Sequence, residues 1–390
     1  MSRLLFLLPN VPHPADSGAK LRNLMLLRLA AEAHTVDAIA FGQLDQRASL
    51  AALAERTQVV APPPRRTVWQ RSGDIARSRL PDMAQRLWSA DFAEAVRCLA
   101  PEADLVQAEG IEMARYLSLA PAVKRVYDAH NPEFLLQRRL SEAAPSIPAR
   151  LYSRMQWQRL ERFERAVVRT SSLTLAVSQH DANQLRALAD SACVCVVPNG
   201  VDAHAYPLRD GLAGHDLLFL GKLDYRPNAD AVRWLLRAVL PGVFESVPQA
   251  RLFVVGANPP RWLVEAGQRD ARIAVTGYVV DERPYLRRCC ALLLPIRVAA
   301  GARLKALVAM ASGVPIVSTA LGMEGLAAVP GTDYMRAESA REWVRALERV
   351  LTVRDLRQSV VRSARAVVEQ RYDWQAVRPA LRFAYATLRR

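Results

Sequence analysis

The sequence predicts an α/β protein made of two parallel-sheet domains, and three observations carry that expectation. Short aliphatic or β-branched runs alternate with helical stretches; the series stops near position 200 and restarts after 215; and 390 residues exceed one core, since domains cluster around ~100–150 residues. The strand runs of the first series are 4–8, 35–40, 58–61, 105–108, 125–128, 173–176 and 193–197. Those of the second are 217–220, 252–255, 273–276, 292–295 and 315–318. Between them, Pro198-Asn199-Gly200 opens a stretch with turn chemistry and no periodicity, which reads as a linker. The expected division is a first domain over 1–198, a linker over 199–215 and a second domain over 216–372. A final helix over 373–390 has no strand after it and is expected to pack back on the first domain.

Composition narrows the class. The apolar stretch at 4–8 is shorter than the ~7–15 residues of a signal-peptide core, and no run approaches the ~20 needed to span a bilayer, so a cytoplasmic protein is expected. Five cysteines, with Cys289 and Cys290 adjacent, fit neither a disulfide framework nor C-x-x-C metal spacing. A net charge of +15 admits nucleic acid, an anionic membrane surface or anionic small substrates. The excess is spread along the chain, with 25 basic against 20 acidic residues up to position 200 and 28 against 18 after it. No aromatic-bearing basic motif, zinc spacing or helix-turn-helix signal accompanies it, so nucleic acid is not expected as a partner. Arginine is concentrated in windows 64–88 and 137–169. The helical spacing of Tyr152, Met155, Arg159, Arg162 and Phe163 predicts a cationic amphipathic face, one that either rests on anionic lipid or is simply solvated.

The chemistry-bearing residues gather where strands give way to helices. Gly18, Gly221 and Gly301 occupy such turns, where a missing Cβ lets backbone N–H groups approach a phosphate. The chain has four lysines, and three of them, Lys20, Lys222 and Lys305, lie in these turns or on the helix starts after them. Compact point charges beside such glycines suggest diphosphate binding, against the plainer reading of solvated surface lysines. His130 closes an apolar strand before Asn131-Pro132, so it points from a strand end into a loop.

Six blocks in order then resemble glycosyltransferase family 4, the retaining enzymes of GT-B architecture. They are Pro12-His13-Pro14-Ala15-Asp16-Ser17-Gly18-Ala19-Lys20, Tyr127-Asp128-Ala129-His130-Asn131, Val197-Pro198-Asn199-Gly200-Val201-Asp202, the segment from Phe219 to Asn228, Thr276-Gly277-Tyr278-Val279, and Gly301-Ala302-Arg303-Leu304-Lys305 with the run from Ala309 to Pro315. The resemblance implies two Rossmann-like domains facing each other across a cleft. It also implies a nucleotide diphosphate-sugar as substrate rather than a bound cofactor, no metal, and a glycan or lipid-linked acceptor. By the same resemblance His130, Lys222 and Lys305 are the catalytic candidates, His130 hydrogen-bonding the donor sugar and the lysines neutralising charge on the leaving diphosphate. Gly18, Lys20, Gly221, Arg226, Tyr278, Val279, Gly301, Ala302, Arg303, Leu304, Val308 and Glu324 are the donor-binding candidates.

The chain departs from the family at one place. Relatives often carry a Glu-x7-Glu pair, and those positions are Ala300 and Val308 here. A ribose contact is therefore expected to fall to Val308 or to Glu324, which is otherwise a solvated loop acid. The departure keeps open a second reading, a catalytically weakened protein that binds nucleotide-sugar or serves a partner glycosyltransferase.

Overall fold

The computed structural model describes residues 2–142, 146–190, 192–208, 214–298 and 304–388. The chain folds as two compact units, Met1–Asn199 with Val377–Arg390, and Gly200–Ala376.

The first unit holds seven parallel strands, β1 (Arg3–Leu8), β2 (Thr35–Phe41), β3 (Arg56–Val60), β4 (Leu105–Glu109), β5 (Lys124–Ala129), β6 (Leu173–Ala176) and β7 (Val194–Val196). Their spatial order is β3-β2-β1-β4-β5-β6-β7. Helices cover both faces of such a sheet, so its central strands run apolar without alternation, as Leu4 to Leu8 do at 1% exposure or less. Phe41, Phe92 and Tyr116 pack with tilted rings in the core, the Phe92 ring centroid 4.5 Å and 4.6 Å from its neighbours. Helix Gly18–Ala31 follows β1, and Ser17 caps it by accepting from Lys20 N.

The second unit repeats the plan with six parallel strands, β8 (Asp216–Leu220), β9 (Arg251–Val255), β10 (Ile273–Gly277), β11 (Ala291–Leu294), β12 (Ile316–Ser318) and β13 (Met335–Arg336). Their order is β10-β9-β8-β11-β12-β13. Two-residue β13 escapes sequence reading because it is too short to carry a period. Trp343 is fully buried here, edge-on to Trp234 at 5.9 Å.

Residues after Gly200 are held to the second unit rather than hanging free. Val201 bridges Asp373, and the buried Arg365 donates to the carbonyls of Ala203, Tyr206 and Ala311. Helix Trp374–Thr387 then returns the chain to the first unit, where Tyr385 OH donates to Gln107 and Arg378 and Arg382 pair with Glu32. No helix among the described residues is long and apolar enough to cross a membrane.

The cationic face of helix Ile147–Thr170 differs from the expected one. Arg159 turns inward and donates to the carbonyls of Ile75 and Ser78, while Tyr152 receives a hydrogen bond from Arg71. Arg159 thereby satisfies carbonyls at the C-terminal end of helix Val68–Arg77. The outward stripe is Ile147, Leu151, Arg154, Arg162, Arg165 and Arg169.

Candidate active site

In a parallel sheet of this kind ligands bind beyond the carboxyl ends of the strands, at the point where the strand order reverses. That point lies between β8 and β11 in the second unit and between β1 and β4 in the first.

In the second unit, β8 ends at Leu220 and turns at Gly221 toward helix Arg226–Trp234. Lys305, on helix Leu304–Ala311, reaches back across the switch and donates from Nζ to Leu220 O at 2.9 Å and Asn228 Oδ1 at 3.3 Å. Asn228 in turn donates from Nδ2 to Lys222 O at 2.9 Å. A Cβ on Gly221 would stand 2.8 Å from Asn228 Nδ2 and 3.0 Å from Lys305 Nζ, so only glycine lets the ammonium close on the strand end. Gly256 is needed even more sharply, because a Cβ there would lie 1.9 Å from Gly221 O. The same rim continues to β10 through Gly256 N, which donates to Gly277 O at 3.0 Å.

The two lysines singled out on sequence thus differ physically. Lys305 is half-buried and oriented by two acceptors, whereas the Lys222 side chain is 65% exposed with Nζ 3.5 Å from Asp224. Arg226 is exposed at the start of its helix, and Tyr278, 68% exposed, follows Gly277 with half-buried Val279. Leu304 and Glu324 are half-buried. Val308 is 8% exposed and belongs to the apolar cluster with Leu294, Leu307 and Ala311, a core setting for a position expected at the ribose. Gly301, Ala302 and Arg303 lie outside the described residues, as does Ala300. An anion at this rim meets a positioned ammonium and a helix N-terminus together.

In the first unit, Gly18 is exposed at the helix start, and Lys20 Nζ lies 2.9 Å from Asp16, so part of its charge is already answered. His130 follows β5, and the structure surrounds it with buried charge. Its Nε2 lies 3.2 Å from Asp128 Oδ2 and 3.3 Å from Glu109 Oε2. Arg22, 2% exposed, donates from Nε to Asp128 Oδ2 at 2.7 Å, and from Nη1 to Val197 O and Asn199 Oδ1. The Asn23 amide also faces this cluster, one terminal atom lying 3.0 Å from Glu109 Oε2 and 3.1 Å from His130 Nε2.

Burial and charge set the protonation states. Burial would lower the His130 ring, but hydrogen bonds and charge from Asp128 and Glu109 push it up to about 9, so it is an imidazolium at neutral pH. Burial would raise the Asp128 carboxyl; Arg22 outweighs it and holds the group well below the usual carboxylate range. Burial, reinforced by Asp128, raises Glu109 to about 7. The ligand atoms of Glu109, Asp128 and His130 lie within 4.8 Å of one another, a spacing that would suit a cation, and Arg22 and the imidazolium supply positive charge there. Behind them Glu164, pushed up to about 8 mainly by burial, accepts from Tyr127 OH and from the backbone N–H groups of Glu133 and Phe134. It thereby fixes the start of helix Glu133–Glu142, just after His130.

Sequence reading did not single out Arg22, Asn23, Glu109 or Asn228. A signal existed for Glu109, which closes β4 before Gly110 as His130 closes out β5. Arg22 had only its oddity, a charge among apolar helix positions.

Two parallel-sheet units, each with its own switch point, are the architecture of the GT-B class. The family models agree: residues 23–205 match Glycosyltransferase Family 4, and residues 214–353 match Glycosyl transferases group 1. The chain belongs to the GT-B glycosyltransferases. Among solved structures it is similar to sucrose-phosphate synthase from Thermosynechococcus elongatus, at 16% identity and TM-score 0.75, covering 99% of each chain. It is similar to Anabaena HepE in complex with UDP-glucose, at 16% identity and TM-score 0.70, covering 99% of this chain and 100% of that one. It is also similar to S. aureus TarM in complex with UDP, at 8% identity and TM-score 0.72, with 99% and 100% covered. No curated protein matches the chain.

Proposed function

We propose that the chain transfers a sugar, with retention of its anomeric configuration, from a nucleotide diphosphate-sugar to a glycan or lipid-linked acceptor. The observation that carries this reading is Lys305, locked between Leu220 O and Asn228 at the β8/β11 switch point, where a leaving diphosphate needs positive charge already in place. HepE was solved with UDP-glucose, which makes uridine donors the first to try. Retention is the outcome that the resemblance to glycosyltransferase family 4 implies.

The test is a thermal-shift screen against UDP-, GDP-, ADP- and dTDP-sugars, followed by NMR of the product anomer. At a hundredfold excess over Kd a donor stabilises the native state by about 2.7 kcal/mol, so one nucleotide class is expected to raise Tm by about 5–10 °C. No shift with any donor defeats the reading, and an inverted product defeats retention. The second reading, a binding subunit without turnover, draws on the core setting of Val308, which offers the ribose no carboxylate. It requires the same shift with neither hydrolysis nor transfer.

For a lipid-linked acceptor we further propose that the first unit rests on anionic bilayer. Trp69 is 88% exposed, Ile147 75% and Leu151 63%, and the Arg71 to Tyr152 hydrogen bond brings their helix starts together. Arg150 and Arg154 stand exposed beside them. Co-sedimentation with phosphatidylglycerol vesicles is expected to fall severalfold for Trp69→Ala with Leu151→Ala. Equal binding by the variant, or none by the native protein, removes the proposal.

A further inference from the structure

Between β4, β5 and the last helix runs a continuous chain of buried polar groups. Tyr385 OH donates to Gln107 Oε1 at 2.8 Å, and Gln107 Nε2 donates to Glu109 Oε1 at 2.7 Å. Glu109 Oε2 then meets His130 Nε2 at 3.3 Å. Parallel register places Glu109 opposite Asp128 and puts Gln107 on the same face of β4 two residues before it. Gln107, Glu109 and Asp128 are all 0% exposed, in central strands whose other buried positions are leucine, valine, alanine and a tyrosine. The His130 side chain, 16% exposed, is the member that meets solvent. Its Nδ1 makes no hydrogen bond among the described residues and lies toward Gly110, whose Cβ, if present, would be 3.6 Å away.

Burying three polar side chains in a sheet core costs stability unless each is satisfied, and an apolar set of the same shape would serve the fold as well. What an apolar set would not do is grip one nitrogen of the imidazole. Two carboxylates on Nε2 orient the ring, keep a proton on it, and leave Nδ1 as the donor at the strand end.

We propose that Glu109, held in place by Gln107 and Tyr385, is a positioning residue for His130, fixing the ring so that Nδ1–H is presented to the donor sugar. The inference rests on His130 as the sugar contact. The charged groups facing the ring are Glu109, Asp128 and Glu133, with Arg22 behind Asp128 and Tyr385 beyond Gln107.

The experiment is NMR of histidine labelled with 15N in the full-length protein, titrated with and without Glu109→Gln or Tyr385→Phe, alongside the pH profile of transfer. The His130 midpoint is expected to fall by about one unit or more in Glu109→Gln, and less in Tyr385→Phe, which removes one hydroxyl at the far end of the chain. Transfer is expected to drop roughly ten- to a hundredfold in Glu109→Gln, with KM for the donor little changed. An unmoved His130 midpoint in both variants overturns the positioning role. A shifted midpoint with unchanged transfer keeps Glu109 as the group that holds the ring but removes His130 from the donor, so the two failures are told apart. Tyr385→Phe keeps the test decisive should Glu109→Gln fail to fold.

Discussion

Lys305→Ala is expected to lower kcat roughly 10²–10³-fold in a protein that still folds. The ammonium is fixed before any ligand arrives, because Leu220 O and Asn228 Oδ1 accept from it and hold it at the strand end. A charge so placed needs no reorganisation when the diphosphate departs, which is the condition under which one group carries the largest share of the barrier. Removing it also frees Leu220 O and Asn228 from a partner, at a cost of about 1–3 kcal/mol. Some loss of Tm is therefore expected beside the loss of rate. Lys222→Ala provides the contrast. Its side chain is 65% exposed and only 3.5 Å from Asp224, so stability should change by about 0.5 kcal/mol or less. Lys305→Arg is not expected to rescue, since a planar fork replaces a point donor closed in beside Gly221. Steady-state kinetics with Tm measured on the same samples decide it. If activity falls only in proportion to the folded fraction, Lys305 is structural.

Asp128→Asn is expected to produce the largest loss of stability of any single change near the site, about 3–5 kcal/mol, because it leaves the fully buried Arg22 without its counter-charge. Replacing both partners, Arg22→Met with Asp128→Leu, should lose much less, since an apolar pair of similar volume removes both desolvation penalties. The pH dependence follows from the three groups. Asp128 is held below its ordinary 3.8, so its stabilisation is present above that pH and fades as acid approaches the lower native value. His130 is raised from 6.5 to about 9, so its contribution is complete below 6.5 and is lost as pH climbs to about 9. Glu109 is raised from 4.5 to about 7, so the native state binds the extra proton between those values and stability declines across them. Urea melts from pH 5 to 9 should therefore show native stability falling toward alkali, with a flatter slope between 6.5 and 9 in Asp128→Asn. A variant as stable as the native protein at pH 7 would contradict the buried pairing.

Much of the fold was legible along the chain because a buried parallel strand must be an apolar run and its connection must turn on small or polar residues. β6 (Leu173–Ala176) matches its sequence run residue for residue, and β1, β2, β4 and β5 differ from theirs by one or two residues at the ends. Glycine likewise marked strand ends, since at Gly221 and Gly256 the close approach of neighbouring atoms leaves no room for a Cβ, a local requirement on residue type.

The partners of those residues were decided only by tertiary structure. Arg22 meets Asp128 across 106 positions, Lys305 meets Leu220 across 85, and Tyr385 meets Gln107 across 278. Nothing near Glu109 in sequence announces that sheet register will set it beside Asp128, or that together they will keep His130 charged. The inward turn of Arg159 and the core setting of Val308 are of the same kind. Residue type and local period determine which elements form and where they end. Burial, charge state and hydrogen-bond partner depend on which distant strand or helix arrives alongside, and desolvation acts only once it has arrived.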